Sequence, residues 1–142
     1  MKTSARNHLT GTIKHVNAGV INADVIVDLG QGLEIVANIT NNSVRDLALA
    51  PGKRVDIVIN SSQVLLSPDI NIRTSAGNTF IGTVKESFPG AINAVVKVEI
   101  ENGIVLTATI TNNSLEECGL TVGSPCSVLI NASYVVLAIN GG

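Results

Sequence analysis

The 142-residue chain carries a net charge of −2, and its composition excludes several classes of protein. Aromatic residues are 2% and charged residues 14% of the sequence, so it lacks the basic face and stacking rings that single-stranded nucleic acid requires. Hydrophobic residues are 45% and the mean hydropathy is +0.39, yet no apolar run reaches the roughly 18 residues of a membrane-spanning helix. We therefore expect apolar interfaces between subunits and, because no signal-peptide pattern is present, a cytoplasmic location.

In chain order, each half of the sequence has three β-rich segments, a short helical pattern and two more β-rich segments. The strands of the first half are predicted at 9–16, 20–29, 33–39, 55–59 and 64–66. Those of the second half are predicted at 80–87, 91–100, 104–110, 126–130 and 135–139. Short helices are predicted at 44–49 and 114–120, and the connector 67–73 is expected to be ordered. The order predicts an all-β fold of two tandem five-stranded OB-type Greek-key barrels, each with one short helix between strands 3 and 4.

The sequence Ile-Thr-Asn-Asn-Ser occurs twice, at 39–43 and at 110–114, with an offset of 71 residues. A polar segment has no packing reason to recur letter for letter, so one structural unit should occur twice, as domains 1–68 and 69–142. Each unit is near the lower size limit for an adequate core, so the two should support each other or pack on other subunits.

The repeated segment places two hydroxyl residues, Thr40 and Ser43, between the third strand and the helical pattern. At a helix start, such residues either cap the free backbone N–H groups or help those groups to bind a small anion, and the sequence leaves both interpretations open. In the second half, Asn113 and Glu116 also have the spacing of a capping box.

The cysteines and histidines do not form a catalytic or metal-binding pattern. Cys118 and Cys126 align with apolar core positions of the first half, which predicts buried, reduced thiols. His8 and His15 align with unrelated polar residues, so we expect both on the surface. Because no nucleophile with a base, no acid pair and no metal cluster is evident, the protein is not expected to be an enzyme.

Several spaced motifs mark the first half, and most of them recur in the second. They are Thr-Ser-Ala-Arg-Asn at 3–7, Leu9, Gly11, Gly19, Asn22, Ala23, the turn at 40–43, Leu49, Gly52 and Ile-x-x-Ser-x-Val ending at Val64. This set resembles the molbindin (Mop-domain) family over essentially the whole chain, in the manner of tandem two-domain molybdate-binding proteins. The resemblance implies OB-type barrels, a homotrimer, and storage or homeostasis of a small oxyanion, molybdate or tungstate, bound as the ligand between modules.

The resemblance also implies which residues bind the oxyanion. They lie in the opening segment, at the helix start and just after the fourth strand: Ser4, Ala5, Arg6, Thr40, Ser43, Asn60 and Ser61, with Ser75, Ala76, Gly77, Thr111, Ser114, Asn131 and Ala132 as their counterparts. A second anion site is implied at Gly19, Val20 and Asn22, with Gly90, Ala91 and Asn93 as its copy. These six residues equally suit a plain hairpin turn.

Three positions depart from the family pattern. Asn60 and Asn131 stand where the family usually has Lys, and Gly77 stands where it has Arg. A hydrogen bond to a charged group contributes about 1.5–3 kcal/mol, against about 1 for a neutral pair, so weaker or more selective binding should follow. The two Asn side chains either replace the ammonium as donors or satisfy their own backbone in a turn, and both interpretations stay open.

Two other functions compete with anion storage. An oligomeric scaffold or regulatory interaction module with weak or lost anion binding is the alternative that the missing cations favour. A single-strand nucleic-acid binder is supported only by analogy with other OB-type folds.

Overall fold

The computed structural model describes residues 1–140 and contains ten β-strands and two short α-helices there. The strands of the first half are β1 (Arg6–Ala18), β2 (Asn22–Gly30), β3 (Leu33–Thr40), β4 (Arg54–Asn60) and β5 (Val64–Ser67). Those of the second half are β6 (Gly77–Pro89), β7 (Asn93–Glu99), β8 (Val105–Thr111), β9 (Pro125–Asn131) and β10 (Val136–Ala138). Helix α1 (Asn41–Asp46) follows β3 and α2 (Asn112–Cys118) follows β8; 3₁₀ turns lie at Ser61–Gln63, Glu101–Gly103 and Ala132–Tyr134.

The predicted elements are present, and the helices begin two or three residues earlier than predicted. The reason is the hydroxyl cap, which starts each helix directly after Thr40 or Thr111. The predicted capping box at Asn113 and Glu116 is wrong, because Thr111 is the N-cap and accepts the hydrogen bond of the Ser114 N–H.

The chain forms two compact units, each built on one antiparallel five-stranded sheet. Unit 1 comprises Met1–Ile59 and the segment that begins at Ala132, with strand order β10-β4-β1-β2-β3. Unit 2 comprises Asn60–Asn131, with strand order β5-β9-β6-β7-β8. In each sheet the two edge strands also approach one another, so the sheet curls as an OB-type barrel does. The predicted all-β class of two five-stranded OB-type units is confirmed.

The fifth strand of each sequence repeat lies in the sheet of the other repeat. Strand β5 pairs with β9, with Val64 opposite Ile130, and β10 pairs with β4, with Leu137 opposite Ile57. The boundaries of the two compact units therefore differ from a division of the chain at residue 68. Hydrophobic pattern cannot reveal this, because β5 and β10 carry the same alternation and fit either sheet.

Alternating apolar residues form the core of each unit. In unit 1, Val25 and Val27 of β2 and Ile57 of β4 are fully buried, and in unit 2 Val96 and Val128 have the same role. Short aliphatic side chains fill both cores, which explains how the chain folds with so few aromatic residues.

Close packing explains the glycine that the motif places on the first strand of each repeat. A Cβ added at Gly11 would lie 2.6 Å from Val27 Cγ1 and 2.7 Å from the Asp28 carbonyl oxygen. At Gly82 the Glu99 carbonyl oxygen would be 2.5 Å away. Only glycine lets the long, bent strands β1 and β6 approach their neighbours this closely.

The connector between the repeats is ordered, as predicted, within unit 2. The Ser127 hydroxyl donates a hydrogen bond of 2.8 Å to the Asp69 carbonyl oxygen. The Asn71 N–H donates to the Asp69 carboxylate, which closes a local turn.

Strand β10 offers a test of the exchange. Leu137 is 7% exposed and faces the core of unit 1, whereas Val136 is 56% exposed on the opposite face of the same strand. We expect Leu137→Ala to lower the free energy of unfolding by about 2–5 kcal/mol, and Val136→Ala to lower it far less. Urea denaturation of both variants measures this, and equal effects would contradict the placement of β10 in the core.

Candidate functional site

A pair of hydroxyl groups marks the junction between strand and helix in each unit. Thr40 Oγ1 accepts a hydrogen bond of 3.1 Å from the Ser43 N–H and donates one of 3.0 Å to Ser43 Oγ. Thr111 and Ser114 repeat the arrangement at 3.0 and 2.9 Å. The cap interpretation is therefore confirmed for both threonines.

The two serine hydroxyls remain available as donors. No hydrogen bond among the described residues uses the proton of Ser43 Oγ or Ser114 Oγ, while each oxygen already accepts a bond from a threonine. An O–H group that accepts a hydrogen bond is polarised and becomes a better donor. Ser114 is exposed and Ser43 is half-buried, so both can reach a ligand from solvent.

The structure also brings the segment proposed for a second anion site to this junction. Asn22 lies opposite Thr40 between β2 and β3, and Asn93 lies opposite Thr111 in unit 2. In unit 2 a surface depression is lined by residues of both segments: Ala91, Ile92, Thr111, Asn112 and Asn113. The two predicted groups of residues are therefore neighbours in each unit.

An asparagine that sequence reasoning missed joins these two segments. Asn41 donates its backbone N–H to the Ile21 carbonyl oxygen at 2.8 Å and its Nδ2 to the Gly19 carbonyl oxygen at 3.0 Å. Asn112 makes the same two bonds to Ile92 and Gly90, at 2.8 and 2.9 Å. The available signal was the repeated five-residue segment itself, which includes both asparagines.

The opening segments adopt matching turns at the start of β1 and β6. The Thr3 hydroxyl accepts from the Ala5 N–H, and Thr74 accepts from Ala76, both at 3.2 Å. The next residue has a positive φ in each copy, 75° at Arg6 and 96° at Gly77. The predicted Ser4, Arg6, Ser75 and Gly77 are exposed, whereas Ala5 is buried and Ala76 half-buried.

Strand order separates these opening segments from the hydroxyl pairs within a unit. Strand β2 lies between β1 and β3, and β7 lies between β6 and β8. In unit 2 the opening segment instead meets another predicted site residue, since Gly77 lies opposite Asn131 in the β6–β9 pair.

The residues that follow the fourth strand of each repeat lie in the other unit, not in the unit of their own repeat. The 3₁₀ turn Ser61–Gln63 packs on β8, and the turn Ala132–Tyr134 packs on β3. Ser61 therefore lies beside β8, which leads to Thr111, and Ala132 lies beside β3, which leads to Thr40. The cause is the strand exchange, which places each turn in the other unit. Ser61 Oγ lies 2.8 Å from Thr109 Oγ1 and is 4% exposed.

The Asn60 side chain serves a turn. Its Oδ1 accepts from the N–H and the hydroxyl of Ser62, both at 3.1 Å, and so caps the 3₁₀ turn. This is the turn interpretation, and it leaves the Nδ2 protons of Asn60 as neutral donors. Asn131 lies at the equivalent end of β9.

Some of the charged groups on the sheets form ion pairs. Lys14 Nζ lies 2.6 Å from Glu34 Oε2, and this hydrogen bond raises the pKa of Lys14 above its usual value. Lys85 pairs with Glu99 at 3.7 Å in unit 2. His8 Nε2, predicted to be solvated, is exposed and lies 2.9 Å from Asp56 Oδ1.

The cysteines carry no site. Cys126 is fully buried, as predicted, and burial raises the pKa of its thiol. The prediction for Cys118 is only partly correct, because it is half-buried on α2. Both are free thiols, and no group of three His, Cys, Asp or Glu residues within residues 1–140 is placed to hold a metal ion. Nor is any helix in that range long and apolar enough to cross a bilayer.

Two OB-type units with matching hydroxyl pairs at their strand–helix junctions define a tandem small-barrel binding module. Residues 3–66 and 74–137 each match the family model described as the TOBE domain. The chain belongs to this family and contains two copies of the domain.

The chain is similar to proteins of molybdenum metabolism. It is 36% identical over 140 residues to the molybdenum-pterin-binding protein MopA of Rhodobacter capsulatus, covering 98% of this chain and 53% of MopA. It is 33% identical over 141 residues to the molybdenum transport protein ModE of Azotobacter vinelandii, covering 99% of this chain and 52% of ModE. The chain thus spans about half the length of the curated relatives it matches.

A solved structure matches the chain from end to end. The crystal structure of ModG, described as a cytoplasmic molybdate-binding protein with molybdate bound, is 40% identical, with a TM-score of 0.93. The match covers 99% of this chain and 100% of ModG.

The positive φ shared by Arg6 and Gly77 gives a prediction. A non-glycine residue in the left-handed region costs about 1–2 kcal/mol, offset by about 0.5–1 kcal/mol of extra chain entropy for glycine. We expect Arg6→Gly to raise the free energy of unfolding by about 0.5–1 kcal/mol and Gly77→Arg to lower it by a similar amount. Arg6→Ala, which keeps the strain and removes the charge, is the control in guanidinium denaturation. An Arg6→Gly variant less stable than Arg6→Ala by about 0.5–1 kcal/mol would show that the backbone is unstrained.

Proposed function

We propose that the chain is a non-catalytic protein that binds molybdate or tungstate in the cytoplasm and stores or buffers the oxyanion. The observation that carries this proposal is the hydroxyl pair repeated with the same geometry at both strand–helix junctions. The full-length similarity to ModG, whose structure contains molybdate, supports the choice of ligand and compartment.

The chemistry of the junction suits a tetrahedral dianion. Such an anion presents four oxygens and needs several converging O–H and N–H donors. In each unit the threonine orders the first turn and polarises the serine hydroxyl, so the serine is a preorganised donor. The adjacent turn adds backbone N–H groups from residues 20–22 or 91–93, since the Gly19 and Gly90 N–H groups already donate to Asn22 and Asn93.

The proposed ligands are the residues that the family resemblance implies, but the strand exchange assigns some of them to a different unit. Ser43 is grouped with Thr40 and Ala132 in unit 1, and Ser114 with Thr111 and Ser61 in unit 2. Ala132 has no side-chain donor, whereas Ser61 has a hydroxyl, which is buried and lies 2.8 Å from Thr109 Oγ1. Arg6 of unit 1 supplies a cation at the position where unit 2 has Gly77.

We further propose that three copies of the chain assemble, which would bring opening segments and junctions of different units together. Support comes from apolar side chains exposed on the single chain, above all Val20 at 98%, Ile92 at 75% and Ile21 at 73%. Water-exposed apolar surface of this kind usually marks an interface. Sedimentation velocity at micromolar concentration should give the mass of a trimer, and a monomer would remove any site built across subunits.

An oligomeric scaffold with weak or lost anion binding is the alternative. The observation that favours it is the absence of three family cations, at Asn60, Gly77 and Asn131. Equilibrium dialysis against molybdate, with sulfate as competitor, separates the two functions, because the scaffold predicts no saturable binding.

The geometry of the hydroxyl pair separates ligand binding from capping. In Ser43→Ala the Thr40 hydroxyl still accepts the backbone N–H, so the cap survives while the outward donor is lost. We expect Ser43→Ala to weaken molybdate binding about tenfold, one hydrogen bond to a charged group, with little change in stability. Thr40→Val removes the cap itself and should also lower the free energy of unfolding by about 1 kcal/mol.

Calorimetric titration and urea denaturation at the same temperature measure the two effects. Thr79→Val, which removes an exposed hydroxyl from β6, is the control and should change neither. If Ser43→Ala binds molybdate like the wild type, the serine has no ligand role and the hydroxyl pair is a cap alone.

A further inference from the structure

The repeated asparagine at the first position of each helix has an unusual environment. Asn41 uses its Nδ2 to hold the Gly19 carbonyl oxygen, and Asn112 holds Gly90 in the same way. In both copies the amide oxygen, Oδ1, is buried and has no hydrogen-bond partner in the structure.

An unpartnered buried oxygen is costly, because it has given up its hydration without replacement. The amide cannot escape by rotating, since a half-turn would direct Oδ1 at the glycine carbonyl oxygen and lose the existing bond. The same unpartnered oxygen occurs at Asn41 and at Asn112, and the turn and helix-start residues around it are nearly the same in both units. A side-chain bond from Asn41 to Gly19, or from Asn112 to Gly90, that is kept at this cost in both copies indicates a role beyond ordinary packing.

The bond from the asparagine Nδ2 to the glycine carbonyl oxygen fixes the distance between two sets of hydrogen-bond donors. On one side is the first helical turn with the serine hydroxyl, and on the other is the turn Gly19–Asn22 or Gly90–Asn93. Within each turn, the glycine N–H donates back to the asparagine carbonyl oxygen at 2.7 Å, in Gly19 to Asn22 and in Gly90 to Asn93. The turn is therefore closed on itself; the strand pairing of Asn22 with Thr40, or of Asn93 with Thr111, joins one end of it to the helix start, and the Asn41 or Asn112 bonds hold the rest.

We propose that Asn41 and Asn112 are positioning residues that couple the helix-start donors to the donors of the adjacent turn, so that an anion at one orders the other. This proposal rests on the proposed function and adds to it a residue that transmits binding between neighbouring segments. Neither asparagine needs to contact the anion. Each acts through the carbonyl oxygen that it holds.

The test compares adjacent asparagines. Asn41→Asp replaces the donor with a carboxylate of the same shape, which repels the Gly19 carbonyl oxygen and removes the side-chain bond while the backbone bond to Ile21 remains. Asn42→Asp adds the same charge one residue further on, at an exposed side chain whose Oδ1 accepts a hydrogen bond from the Arg45 guanidinium. It therefore controls for repulsion of the anion together with Asn113→Asp, which has no arginine three residues later. Asn112→Asp and Asn113→Asp form the matched pair in unit 2, and Asn41→Ala with Asn42→Ala repeats the comparison without charge.

Molybdate is titrated into each full-length variant by calorimetry at 25 °C, and hydrogen exchange is followed at residues 19–22 and 90–93 with and without molybdate. We expect Asn41→Asp to bind about tenfold more weakly than Asn42→Asp, the loss that corresponds to one hydrogen bond. Molybdate should protect the turn amides of residues 19–22 in the Asn42→Asp variant but not in the Asn41→Asp variant. A merely structural role would lower the melting temperature of Asn41→Asp without removing this ligand-dependent protection.

The outcomes separate the two levels of the proposal. If wild type and Asn42→Asp bind molybdate, and Asn41→Asp binds it equally well with the same protection, the positioning role is overturned while the proposed function stands. If the wild type itself shows no saturable binding, the proposed function fails, and the positioning role fails with it. Should Asn41→Asp not fold, the Asn41→Ala and Asn42→Ala pair decides between these results in the same way.

Discussion

The hydrogen bond from the Ser43 N–H to Thr40 Oγ1, with its copy at Ser114 and Thr111, is the interaction on which the rest of the site depends. It lies where the strand ends and the helix begins, and it holds the serine close enough for its hydroxyl to accept a hydrogen bond from the threonine. A cap of this kind contributes only about 1 kcal/mol to stability, but it determines where several polar groups point. Because both units build the same junction from the same five residues, the junction itself is the feature that the duplication preserves.

The two units differ in their polar residues. Unit 1 has Arg6 in its opening segment and, beside the junction, a polar chain in which Asn22 Nδ2 donates to Asn38 and Asn38 Nδ2 donates to Asp24. Unit 2 has no charge at Gly77, and it has the Ser61–Thr109 hydroxyl pair. If the proposed sites bind an anion, this difference in donors and charge predicts two classes of affinity.

Local pattern predicted nearly all of the secondary structure, because alternation, glycine turns and Thr caps are encoded within a few residues. It could not predict the exchange of β5 and β10, which depends on which of two similar sheets a short strand pairs with. The exchange in turn moved Ser61 and Ala132 to different units from those expected. Asn41 was overlooked for another reason: its role depends on Gly19, a residue 22 positions away. No spacing rule for caps or strands anticipates that contact.

The central claim is that the strand–helix junctions bind a molybdenum oxyanion, and anomalous diffraction at the molybdenum absorption edge tests it most directly. Crystals of the wild-type protein would be grown with molybdate, with a matched crystal grown in sulfate as the reference. We expect molybdenum peaks within hydrogen-bond distance of Ser43 Oγ or Ser114 Oγ, and no such peaks in the sulfate crystal. Molybdenum peaks confined to other surfaces, or no peaks at saturating molybdate, would contradict binding at the junctions.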